Sequence, residues 1–465
     1  MNLKEKKILL LFLFLFPILS SCSSDPPASN GVYESQKTVI SPTVTSGKIY
    51  VDSSSEKLES SSKQAQRLYI DNLSSQIDEN EIIHIFGLVH NISDSSVNDI
   101  EIVLKLYDDD GNVLEMVKTS PFLSNLKPDK SSPFSIVLKG NHQKIGRITA
   151  GIENYQLSNI EAPDIKISRE SMSIGLDQSI YLSGEIQNNN YEPIIIDSIA
   201  AGLFDKNQYL ISASEDSESI YYLDPGEISP FQITFPKIIP SKSPITEFQI
   251  YIEAHKSAPK SNFDLLLGNI STGHSNNPTT FQLSGEITNK TNQALMVSLI
   301  AGIYDKQGYL LDVSRTTLPI PISTGETLPF HFMDWKVINN NNDYIERASR
   351  YSVQWEPYST RPNNSRYVHL MTFPEEIIHQ TPNITLVGKV FNDTEFLLKD
   401  IVIFGTLYDK NSGKILATNH MILDQIIHQG QTVDYQFVYN LNERFQQYEI
   451  IGATIAKGKI VLIQE

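Results

Sequence analysis

The chain has 465 residues, a formal net charge of −17, 40% hydrophobic residues and a single cysteine. That acidic balance argues against nucleic acid and against adsorption on anionic lipid headgroups, since both reward basic patches. One cysteine excludes an internal disulfide framework, so every domain has to fold on its apolar core alone.

The chain opens with Lys4, Lys6 and Lys7, an apolar run from Ile8 to Ile18, and then Leu19-Ser20-Ser21-Cys22. The run is short of the ~20 apolar residues that span a bilayer, so residues 1–21 read as a cleaved signal peptide. Its end resembles the lipobox of prokaryotic lipoproteins. The resemblance implies cleavage before Cys22, with diacylglyceryl on the sulfur and often an acyl chain on the amine. Each buried CH₂ contributes about 0.8 kcal/mol, so two or three chains on Cys22 make a firm anchor to the membrane. The expected location is extracytoplasmic and lipid-anchored to the cell membrane. In a host with two membranes, Ser23 in place of an Asp after Cys22 favours the outer one.

Residues 22–66 are rich in Ser, Thr, Pro and Lys and hold few large apolar side chains, which predicts a disordered, flexible tether. Beyond it a pattern, Gly-x-apolar-x-Asn, occurs four times: Gly87 to Asn91, Gly184 to Asn188, Gly285 to Asn289 and Gly388 to Asn392. An aromatic-Asp pair follows each copy: Tyr107-Asp108, Phe204-Asp205, Tyr304-Asp305 and Tyr408-Asp409. The Asp lies 21, 21, 20 and 21 residues after its glycine, so one domain type is used four times. Turn-rich stretches such as Glu161-Ala162-Pro163-Asp164 place the modules at 67–158, 163–258, 262–359 and 365–465.

Within a module the hydrophobic period is two. Ile100, Ile102, Leu104 and Leu106 alternate with Glu101, Val103, Lys105 and Tyr107, as in a half-buried strand. Turn residues follow each aromatic-Asp pair, and a further strand carries an aromatic five positions after a loop glycine: Gly226 to Phe231, Gly325 to Phe330, Gly430 to Tyr435. Asp129 replaces that glycine ahead of Phe134, which predicts a left-handed backbone there. Apolar closing strands are expected at 148–157, 248–254, 351–355 and 450–455. The fold class is therefore all-β: four tandem immunoglobulin-like antiparallel β-sandwiches of about seven strands each. The repeated glycines imply close backbone approach, and the asparagines imply bonds to loop backbone. The aromatics are expected to cover the sandwich end, with each Asp bonding the amides of its turn.

Leu106-Tyr107-Asp108, Leu203-Phe204-Asp205, Ile303-Tyr304-Asp305 and Leu407-Tyr408-Asp409, with the preceding Gly-x-x-x-Asn strand, resemble the F-x-L-Y-D domain. That family is an immunoglobulin-like module of prokaryotic extracytoplasmic proteins, often lipoproteins. The resemblance covers about four-fifths of the chain and implies architecture, since the family has no established catalytic residues to transfer.

No metalloprotease, nucleophile-elbow, P-loop or dinucleotide motif is present, and Glu375-Glu376-Ile377-Ile378-His379 holds one of the two histidines a zinc helix needs. The acidic turn Asp108-Asp109-Asp110-Gly111-Asn112 lacks the distant Glu of a calcium loop, and the other copies place Lys206, Lys306 and Lys410 in the turn. No cofactor, metal or catalytic residue is expected. Asn-x-Ser/Thr triplets at Asn91, Asn289 and Asn392 read as chance matches. The candidate binding face is the aromatic end of the third module, Trp335, Tyr351, Trp355 and Tyr358, because aromatic residues are favoured at recognition hot spots. The expected function is a non-catalytic binding, adhesion or scaffolding component of the cell envelope, with an envelope protein or glycan as partner. The alternatives are a pure spacer without a ligand and a hydrolase with an unrecognised site.

Overall fold

β-Branched and aromatic residues at period two build a chain of strands from Leu68 onward. The computed structural model describes residues 50–51 and, with short internal gaps, 67–461. The signal segment 1–21, Cys22 and most of the Ser-rich segment lie outside the described residues.

In chain order, β1 (Tyr50–Val51) precedes the first module, which contains β2 (Leu68–Ile77), β3 (Ile83–Asn91), β4 (Ser96–Tyr107), β5 (Val113–Thr119), β6 (Asn125–Leu126), β7 (Ser131–Leu138) and β8 (Arg147–Ser158). The second contains β9 (Ile165–Ile174), β10 (Ile180–Asn188), β11 (Ile194–Asp205), β12 (Leu210–Glu215), β13 (Tyr222–Leu223), β14 (Ile228–Phe235) and β15 (Ile245–Lys256). The third contains β16 (Leu265–His274), β17 (Phe281–Asn289), β18 (Leu295–Tyr304), β19 (Leu310–Thr317), β20 (Thr327–Phe332) and β21 (Arg350–Ser359). The fourth contains β22 (Tyr367–Thr372), β23 (Glu376–Gln380), β24 (Asn383–Phe391), β25 (Leu398–Asp409), β26 (Ile415–Leu423), β27 (Thr432–Asn440) and β28 (Ile450–Ile460).

Each module is a two-sheet antiparallel sandwich. One sheet has three strands: β2-β3-β7, β9-β10-β14, β16-β17-β20 and β23-β24-β27. The other is centred on β4, β11, β18 or β25, flanked on one side by the closing strand and on the other by the strand that follows the aromatic-Asp turn. In the fourth module β22 pairs with β28 and then with β24, so the first strand passes from one sheet to the other. Residues 48–465 form one compact unit. A finding at its start narrows the expected tether: Tyr50–Val51 adds parallel to β8 opposite Arg147 and Ile148. An aromatic followed by a β-branched residue has high strand propensity, which the surrounding serines lack.

The recurring residues have physical reasons. Gly87, Gly184, Gly285 and Gly388 stand directly opposite Phe134, Phe231, Phe330 and Tyr435 in the ladder. Each ring lies back over its glycine, and an added Cβ would come within 2.4, 2.7, 2.5 and 2.3 Å of it. The four asparagines are buried hubs. Asn289 Nδ2 donates to the carbonyls of Gln293 (2.8 Å) and Ile322 (2.9 Å), and its Oδ1 accepts from the amide and hydroxyl of Thr291 (2.9 and 2.6 Å). Asn91 and Asn392 repeat this with Ser93 and Thr394, and Asn188 with Asn190. The Asn-x-Ser/Thr triplets are thus not chance: the hydroxyl two residues on belongs to the same staple, and the amide nitrogens are already committed inside the fold.

The turn aspartates bond turn amides as expected, for example Asp205 Oδ1 with the amides of Asn207 (2.8 Å) and Tyr209 (3.0 Å). Asp129 has φ +58°, and Gly226, Gly325 and Gly430 at the equivalent place have φ +78°, +75° and +77°. Asp129→Gly is therefore expected to stabilise the first module by up to ~1 kcal/mol, read as a shift in its urea midpoint. Destabilisation would mean that the carboxylate, not the backbone, matters there.

Candidate functional site

The repeated signature builds joints between modules. The strand after each aromatic-Asp turn packs on the three-stranded sheet of the preceding module: β12 on β2, β3 and β7, β19 on β9, β10 and β14, and β26 on β16, β17 and β20. The modules are thus stacked sheet on sheet. This explains β3, which reads Ile-His-Ile-Phe-Gly-Leu-Val and is buried on both faces.

Three bonds of one kind lock the joints. The hydroxyls of Ser74, Ser171 and Ser271 donate to the carbonyls of Leu210 (2.7 Å), Leu310 (2.9 Å) and Ile415 (2.6 Å). Each serine follows a bulge whose residue is left-handed: Asn72 (φ +51°), Arg169 (φ +56°) and Asn269 (φ +51°). The bulge takes up one residue and turns the serine toward the neighbour.

The aromatic of the signature, expected at the sandwich end, sits instead in the joint. Phe204 packs with Phe86, Leu210 and Ala213 across the first joint. Tyr304 joins the core of the second module, with the Arg169 guanidinium 5.7 Å from its ring. The Tyr408 hydroxyl donates to Glu286 at 2.8 Å, and burial pushes its ionisation well above the ordinary phenol range. Tyr107, in the first module, lies under the Arg147 guanidinium at 4.4 Å.

Two sets of buried polar groups pair across the joints. Gln232 Nε2 donates to Asp312 Oδ1 at 2.8 Å, and Asp312 Oδ2 also accepts from the amide of Val337 at 2.7 Å. In the third joint the fully buried Lys457 ammonium bonds Glu326, with Ser323 Oγ at 3.3 Å and the Pro321 carbonyl at 3.4 Å. His369 lies 3.2 Å from the other Glu326 oxygen, close enough for an ion pair. Burial pulls the Lys457 ammonium below its ordinary range, and Glu326 opposes that shift.

Nearby, the His331 and His420 rings sit 5.3 Å apart across the same joint. Burial, with a smaller contribution from His420, lowers His331 from 6.5 to about 4, and burial lowers His420 too. Folded His331 therefore stays neutral where the unfolded chain protonates. Its contribution is present above pH 6.5 and is lost as pH falls toward about 4. His331→Phe is expected to flatten the fall in urea midpoint over that window; an unchanged slope would assign the pH dependence elsewhere.

The proposed aromatic face is dispersed. Trp335 is buried in the core of the third module, its Nε1 donating to the Phe332 carbonyl at 3.1 Å and its ring edge-on to Phe281 at 5.5 Å. Trp355 is half-buried against the same core, opposite Leu299. Tyr358 pairs with Met296 in the ladder, and its side chain lies outside the described residues. Tyr351 is exposed and borders, with Arg350 and Thr272, a shallow cleft of about 90 Å³. Small-molecule sites run to ~300–1,000 Å³. Cys22 lies outside the described residues. Among the described residues no cluster of three His, Cys, Asp or Glu could hold a metal ion, and no helix is long and apolar enough to cross a membrane. The residues that hold the joints, Ser74, Ser171, Ser271, Gln232, Asp312, Glu326 and Lys457, escape a motif search. Their available signal is a strand such as β3 that is apolar on both faces.

Fold and joints define an all-β protein of tandem immunoglobulin-like sandwiches. No family model matches the chain, and no curated protein matches it. Among solved structures, a red sea bream transglutaminase is 11% identical, over 39% of this chain and 27% of its own, with a TM-score of 0.14. The native conformation of Escherichia coli alpha-2-macroglobulin is 8% identical, over 80% of this chain and 26% of its own, with a TM-score of 0.12. A mutant Salmonella alpha-2-macroglobulin is 9% identical over 80% and 29%, also at 0.12. The chain thus spans less than a third of the length of each of these proteins.

Proposed function

We propose that this chain is a lipid-anchored, extracytoplasmic and non-catalytic component of the cell envelope, a lipoprotein whose stacked F-x-L-Y-D-like modules scaffold or bind another envelope component. The observation that carries the non-catalytic reading is where the perturbed groups lie. His331, His420, Lys457 and Tyr408 belong to joints and hold modules together. The anchoring reading rests on Cys22, the only cysteine, placed directly after a short apolar run with a basic start.

Cys22→Ser is expected to move the protein from the membrane pellet to the soluble fraction; retention in the pellet would contradict lipid anchoring. Crosslinking in native cells, followed by recovery from detergent-solubilised envelopes, is expected to return one reproducible envelope partner. Recovery of none would favour a spacer.

A further inference from the structure

The receiving half of the joint occurs four times and is filled three times. Val113 of β5 corresponds to Leu210, Leu310 and Ile415, since each stands opposite the signature aromatic in the ladder. The three counterparts are each 1% exposed, whereas Val113 is 52% exposed. Met116 is 57% exposed, against 2%, 3% and 3% for Ala213, Val313 and Thr418 at its position. Strand β5 is also an edge strand, so its apolar side chains and its outer backbone groups are presented together.

The other end of the stack carries the complementary half. There the sheet β23-β24-β27 leaves Gln436 exposed. Gln436 occupies the ladder position of Gln232, one residue beyond the aromatic that covers the repeated glycine. In the second joint Gln232 is buried and donates to Asp312. The residue at the Asp312 position in β5 is Glu115. The two open ends thus carry the same amide and carboxylate that the second joint pairs.

We propose that a second copy of this chain seats its β23-β24-β27 sheet on β5 of the first, extending the internal stacking from molecule to molecule in a head-to-tail series. The contact covers Val113 and Met116 and sets the Gln436 amide against the Glu115 carboxylate. It is heterologous, so it leaves one open half at each end and continues unless the rotation closes a ring. One substitution weakens it relative to the internal joints. Glu376 stands where Ser74, Ser171 and Ser271 stand, opposite the residue before the repeated glycine. That site lacks the hydroxyl donor and brings a second carboxylate toward Glu115, so the association is reversible. The inference rests on the joint geometry and is independent of membrane anchoring.

The test is sedimentation velocity on the full chain carrying Cys22→Ser, from dilute solution to about 100 µM, the range in which weak specific contacts are populated. The expected result is concentration-dependent growth beyond the monomer. Glu376→Ser is expected to lower the concentration at which growth begins about tenfold, because it removes the repulsion and restores the donor. Met116→Glu and Gln436→Glu, at exposed positions that leave the fold intact, are each expected to abolish growth. Mixing copies bearing Glu115→Cys with copies bearing Gln436→Cys, the positions that Asp312 and Gln232 hold in the second joint, is expected to yield a disulfide-linked pair that neither forms alone. A monomer at every concentration, with Glu376→Ser equally monomeric, would overturn the proposal. So would efficient linkage of Glu115→Cys copies to one another, which would mean that β5 pairs with itself.

Discussion

Lys457→Ala is expected to loosen the fourth module from the third at a cost of roughly 3–5 kcal/mol, the range for removing one partner of a buried ion pair. The physical cause is what stays behind. Glu326 is nearly buried and keeps its bond from the Ser323 amide at 2.6 Å, but it loses the ammonium that neutralises it within the joint. His369 reaches the same carboxylate only from a more exposed position, at 3.2 Å. Pairing Lys457→Met with Glu326→Gln is expected to recover most of the loss, because no unmatched charge then remains. Urea unfolding of the full chain is the measurement, with an early separate transition expected for Lys457→Ala. A loss below ~1 kcal/mol would place this pair with ordinary surface bridges.

Asn289→Ala is expected to destabilise the third module by roughly 2–3 kcal/mol. Four hydrogen bonds end on this fully buried side chain; truncation removes all four and strands the Thr291 amide, while the Ile322 carbonyl keeps the Leu295 amide and the Gln293 carbonyl keeps the Thr291 hydroxyl. Each buried group left unmatched costs ~1–3 kcal/mol, moderated by local rearrangement. Thr291→Ala removes one arm and should cost nearer ~1 kcal/mol. The readout is selective, because the two tryptophans of the chain, Trp335 and Trp355, both lie in the third module. Their fluorescence reports its unfolding while the rest of the chain is silent. Equal midpoints for Asn289→Ala and the unaltered chain would refute the hub.

Local chemistry made much of the module legible. A glycine inside strand pattern with an aromatic at a fixed later position foretells the ring over the glycine, because only a missing side chain admits that approach. Asp129 replacing a loop glycine foretells its left-handed backbone for a similar steric reason. The joints were less legible because they depend on neighbours. Val113 and Leu310 occupy the same place after the same turn, yet one is exposed and the other buried, and nothing within either strand distinguishes them. The Gln232–Asp312 pair unites residues 80 apart in sequence, so no window contains both. Trp335 shows the converse failure. An aromatic-rich stretch reads equally well as a recognition face or as core, and here its indole fills the space between Phe281 and Phe332.

The stacking of modules by the strand after each aromatic-Asp turn is most directly tested by hydroxyl-radical footprinting of the dilute chain. The structure predicts strong labelling of Val113, Leu114 and Met116, with protection of Leu210, Leu310 and Ile415 until the chain unfolds. Comparable labelling of all four strands under native conditions would contradict it, because the sandwiches would then hang freely with no joint between them.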